Sequence, residues 1–76
     1  MNKQRRILLC KATACLETAK EYVSTALNEE QEALDNLPEN LASSERYERM
    51  SDAVDNLEDA VDQIETSIEA INDASA

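Results

Sequence analysis

The sequence predicts an all-α fold, an antiparallel helical hairpin of two long amphipathic helices that self-associates into a four-helix bundle or a higher oligomer. Three observations predict it. The 76 residues contain no glycine and one proline, and are rich in Ala, Glu, Leu and Asp, a composition that favours helix over strand. Two runs of apolar residues recur at alternating spacings of three and four, the signature of a helix face. Between them lies one short break, so the chain reads as a single domain over 1–76, with helix one about 3–34, an elbow at 35–44 and helix two about 44–74.

Helix one begins beside Asn2, a residue type that caps helix N-termini with its side-chain oxygen. From there Leu9, Ala12, Leu16, Ala19, Val23, Ala26, Glu30, Ala33 and Leu37 form a heptad seam, in which Ala12, Ala19, Ala26 and Ala33 occupy every d position. A row of alanines lets a neighbouring helix approach closely, near the short end of the usual range of about 8–10 Å. Leu8, Cys15 and Tyr22 flank the seam on one side and Leu27 and Leu34 on the other, a face too wide for one partner helix. Glu30 interrupts it, and a carboxylate there calls for a cation, with Arg46 and Arg49 the nearest across the elbow.

Pro38 sets the elbow, because its ring clashes with a preceding helical turn and it has no N–H to donate. Asn36, Asn40, Ser43 and Ser44 supply side chains that bond local backbone in turns or cap a new helix. A break this short requires antiparallel neighbours.

Helix two keeps its register throughout. Tyr47, Met50, Val54, Leu57, Val61, Ile64, Ile68 and Ile71 form the seam, and Ala53, Ala60, Ser67 and Ala74 line its edge with small side chains that admit a further neighbour. Glu48, Asp52, Asp55, Asp59, Asp62, Glu69 and Asp73 fall on the outward face, and Glu45 stands four residues before Arg49, a favourable helical pair. The expected oligomer core therefore comprises Leu8, Leu9, Ala12, Leu16, Ala19, Tyr22, Val23 and Ala26 of helix one with Val54, Leu57, Val61, Ile64, Ile68 and Ile71 of helix two.

Composition excludes several chemistries. There is no histidine for metal binding or general-base catalysis, and no glycine for a phosphate-cradling loop or an EF-hand. Cys10 and Cys15 lie about 140° apart around a helix and cannot bridge within it; they read as free thiols, buried or half-buried, in a reducing cytosol. The apolar run Ile7–Cys10 is too short for a signal sequence, and no stretch is long enough to span a membrane. The expectation is a cytoplasmic protein without cofactor or metal, and not an enzyme. Its net charge of −10 divides into +4 over residues 1–20 and −14 over residues 21–76. That balance repels nucleic acid and anionic membrane, and the basic start can meet an acidic partner or the acidic half of a second copy.

The run Glu29-Glu30-Gln31-Glu32-Ala33-Leu34-Asp35-Asn36-Leu37-Pro38-Glu39-Asn40-Leu41, followed by Ser44-Glu45-Arg46 and Asp55-Asn56-Leu57-Glu58-Asp59-Ala60, resembles small acidic proteins encoded by bacteriophages, prophages and mobile elements. Leu34 replaces the phenylalanine usual in that group, and Tyr47 stands where glycine is common. The resemblance implies a phage-type accessory protein, working in the host cytoplasm by stoichiometric binding to a host protein or antiviral defence. Two binding modes fit the residues. The acidic face of Asp52, Asp55, Asp59, Asp62, Glu69 and Asp73 can mimic a nucleic-acid backbone. Alternatively, Asn36, Ser43, Ser44, Arg46, Tyr47 and Arg49 at the elbow can form intersubunit pockets that sequester a small anionic signalling nucleotide.

Overall fold

The computed structural model describes residues 1–41 and 44–76 and is an all-α helical hairpin. Helix α1 spans Lys3–Asp35, a short 3-10 turn spans Glu39–Leu41, and helix α2 spans Glu45–Ser75, packed against α1. The rod measures 59 × 15 × 13 Å.

The ends of the helices follow from capping. The Asn2 carboxamide oxygen accepts the Arg5 backbone N–H at 2.9 Å, satisfying one of the first-turn donors of α1. At the other end α1 stops three residues before Pro38, and the Asn36 N–H donates to the Glu32 carbonyl at 3.0 Å. The elbow continues in tight turns, with Leu37 N–H donating to the Leu34 carbonyl and Leu41 N–H to that of Pro38. Ser44 then opens α2: its hydroxyl accepts the Tyr47 N–H at 3.2 Å and donates to the Leu41 carbonyl at 2.6 Å.

Packing is thin. Among the described residues only Val54 is buried, at 5% exposure. Half-buried Leu9, Leu16, Val23, Leu27 and Leu34 on α1 face half-buried Met50, Leu57, Val61, Ile64, Ile68 and Ile71 on α2, while Tyr47 at the start of the α2 seam is exposed. One feature of the seam differs from the heptad expectation. Ala12 and Ala19 are half-buried as expected, but Ala26 and Ala33 are exposed, and Leu27 and Leu34 occupy the hairpin contact instead. A straight helix of 3.6 residues per turn drifts by about 20° per heptad against a 3.5-residue repeat, so over three heptads the contact line moves to the adjacent column.

The hairpin also exposes more surface than its mass requires. Its accessible area is 5692 Å², against about 4,650 Å² for a compact monomer of 8.5 kDa. The radius of gyration is 17.3 Å, where a compact chain of this length would have about 11 Å.

Candidate functional site

Asp52, Asp55, Asp59, Asp62, Glu69 and Asp73 are all exposed and share one side of α2. Their helical positions fall within an arc of about 100°, roughly opposite the packed seam, and cover about 32 Å of axis. No base follows Arg49 in the sequence, and none of these six carboxylates is ion-paired among the described residues. The arrangement is costly for a helix. Asp52–Asp55, Asp55–Asp59, Asp59–Asp62 and Glu69–Asp73 are like-charge neighbours three or four apart, each unfavourable by about 0.2–0.5 kcal/mol. Aspartate is also a poor helix former in its own right. What the face offers chemically is a rigid line of acceptors without donors, suited to guanidinium and ammonium groups.

The elbow presents a different set. Asn36, Arg46 and Arg49 are exposed, Tyr47 is 37% exposed and Ser44 is half-buried by its capping role. Ser43 lies outside the described residues. Arg46 and Arg49 form no ion pair among the described residues, so the expected partnership with half-buried Glu30 is not made, nor is the Glu45–Arg49 pair. Register explains the first. The bridge that does form joins the Lys20 ammonium to the Glu65 carboxylate at 3.1 Å, and an antiparallel partner aligned by it sets Glu30 level with residue 55. Arg49 is six residues away along α2, about 9 Å of axis. Neither Lys20 nor Glu65 was marked by the apolar pattern. Both stand at e positions of their seams, where antiparallel helices meet edge to edge, and that was the available signal.

A third feature lies at the far end. All of the first eight residues are exposed, and partial burial begins only at Leu9. From the Lys20–Glu65 pair α1 runs 17 residues to Lys3, while α2 runs 10 residues to Ser75. The start of α1 thus projects beyond α2 by about seven residues, or roughly 10 Å. This projection carries Lys3, Arg5 and Arg6 together with Ile7 and Leu8, which are 47% and 62% exposed, and an open hollow lies against Gln4, Ile7 and Leu8.

Cys10 and Cys15 are free and exposed, where buried or half-buried thiols were expected. They lie on opposite flanks of α1, each turned from the contact with α2. No group of three Cys, Asp or Glu side chains placed to hold a metal ion occurs among the described residues, and no described helix is long and apolar enough to cross a membrane. Comparison with known proteins finds no matching family model, no matching curated protein and no matching solved structure.

Proposed function

We propose that this chain is a phage-type accessory protein that acts without catalysis, in the host cytoplasm, by presenting the acidic face of α2 to a basic groove of a host or defence protein. The observation that carries the reading is the unneutralised line of Asp52, Asp55, Asp59, Asp62, Glu69 and Asp73. The six carboxylates from Asp52 to Asp73 cover about 32 Å of axis, one per about 5–6 Å, a line of negative charge though sparser than the phosphates of one nucleic-acid strand at about 3.4 Å. Folding does not call for such a line, since it weakens the helix that carries it. A protein groove shaped for a polyanion would recover that repulsion on binding.

The test uses the purified chain as bait for bacterial proteins, with Asp55→Asn/Asp59→Asn/Asp62→Asn as control. The expected result is capture of a nucleic-acid-binding protein that duplex DNA competes away, that is lost above about 0.2 M salt, and that the triple variant fails to retain. Capture indifferent to salt and to the triple substitution would sink the mimic.

A second reading is favoured by the two unpaired guanidinium groups at the elbow, Arg46 and Arg49. They sit one helical turn apart beside Tyr47, a set suited to a nucleotide's phosphate and base. Native mass spectrometry separates this sponge from the mimic. A retained mass of a few hundred daltons, lost in Arg46→Ala, would establish sequestration.

A further inference from the structure

Leu8, Cys15, Tyr22, Ala26 and Ala33 are all exposed, and on a straight helix they fall within an arc of about 40°. They form an apolar column along nearly all of α1, roughly 110° around the axis from the contact with α2. Tyr22 at its centre is 74% exposed and Leu8 at its end 62%. An aromatic ring and a leucine held in water along one line mark a face that something covers.

We infer that the column is covered by α1 of a second copy, running antiparallel, in a two-fold dimer that closes a four-helix bundle. Charge decides the orientation. Between Lys3 and Lys20, α1 has five bases against Glu17 alone; between Glu21 and Asp35 it has five acids and no base. Parallel packing would set like halves side by side, and antiparallel packing sets each basic half against an acidic one. Size complementarity selects the register. When Leu8 faces Ala33 of the second copy, Cys15 faces Ala26 and Tyr22 faces Ala19, so each large or medium side chain meets an alanine. In the same register Lys11 comes beside Glu29 of the second copy, since both flank the column on the same side and an antiparallel two-fold brings such flanks together.

Two further quantities agree. The chain exposes about 1,000 Å² more than a compact monomer of its mass, close to the roughly 800 Å² that each partner contributes to a standard interface. An angle of about 110° between the column and α2 is near the corner of a square bundle. Following the helical sense around α2, the edge turned toward the second copy's α2 is that of Ala53, Ala60 and Ser67, whose small side chains permit the approach. The acidic face of α2 stays outside the bundle, so the dimer stands or falls separately from the proposed function.

The test takes the full chain with Cys10→Ser, leaving Cys15 as its sole thiol, and adds Ala26→Cys. Mild oxidation is expected to leave the Cys10→Ser chain unlinked and to give a covalent dimer once position 26 carries a thiol facing Cys15. Sedimentation is expected to show a dimer of the unmodified chain. In Tyr22→Arg, with helicity retained, the dimer Kd should rise at least about tenfold, as for a central aromatic anchor. Rapid cross-linking through Cys15 alone would place two copies of it side by side and overturn the register. A monomer at every concentration, or a dimer indifferent to Tyr22→Arg, would overturn the interface.

Discussion

The Lys20 ammonium lies 3.1 Å from the Glu65 carboxylate, and among the described residues no other ion pair joins the two helices. A one-turn slip of α2 along α1, about 5.4 Å, would separate the two groups. This single contact therefore marks the level at which α2 lies along α1, and with it the projection of the basic first two turns.

The pair also gives the hairpin a dependence on alkaline pH. The Lys20 pKa is raised above its ordinary 10.5, first by the hydrogen bond to Glu65, next by that carboxylate's charge and less by Glu17, with partial burial opposing. A raised value in the folded state means that folding favours the charged ammonium. The stabilisation is complete below the ordinary lysine value and is lost as pH rises through the raised one. Lys20→Met should thus be slightly less stable than the native chain at neutral pH, and the gap should close in strong alkali. Both side chains are partly exposed, so added salt should narrow it as well. Urea unfolding of both chains across that range reads the effect; a gap that persists in alkali would assign it to packing instead.

Ser44 carries the start of α2 through two bonds, accepting from Tyr47 N–H and donating to the Leu41 carbonyl. Ser44→Ala removes both and should cost about 1 kcal/mol. For a domain of this size that lowers Tm by about 4–8 °C. Ser44→Asp keeps the acceptor and adds charge at the N-terminal end of the helix, so it should recover most of the loss. Equal melting of Ser44→Ala and Ser44→Asp below the native chain would show that the bond to Leu41, which only the hydroxyl donates, is what matters.

The architecture was legible because its determinants are local. Asn2 and Ser44 cap whatever helix follows them, Pro38 ends whatever helix approaches it, and the alternation from Tyr47 to Ile71 admits one period only. The neighbour of each column was less legible. Ala26 and Leu27 are adjacent in sequence and 100° apart on the helix, and the choice between them rests on accumulated drift, which a heptad count conceals. Glu30 stands near Arg46 and Arg49 in the sequence about the elbow, whereas the register marked by the Lys20–Glu65 pair places it level with residue 55. The exposure of Cys15 followed from the same uncertainty, since its column is turned from α2. The acidic face was plain in the sequence because it depends on spacing within one helix, and the elbow residues were not, because their use depends on groups that no periodicity brings together.

The drift of the seam can be tested at those two adjacent positions. Leu27 is half-buried against α2 and Ala26 is exposed. Leu27→Ala removes aliphatic contact from a hairpin in which Val54 alone is buried among the described residues, and should cost about 1–2 kcal/mol, below the 2–5 kcal/mol of fully buried leucines. Ala26→Ser adds a hydroxyl on an open face and should cost the helix-propensity difference alone, about 0.5 kcal/mol. Urea unfolding of dilute protein, where association contributes least, is the measurement. If Ala26→Ser proved the more damaging, the strict heptad column would be the true contact and α1 would be supercoiled rather than straight. The larger loss in Leu27→Ala keeps α1 straight and leaves the column of Leu8, Cys15, Tyr22, Ala26 and Ala33 free for a second copy.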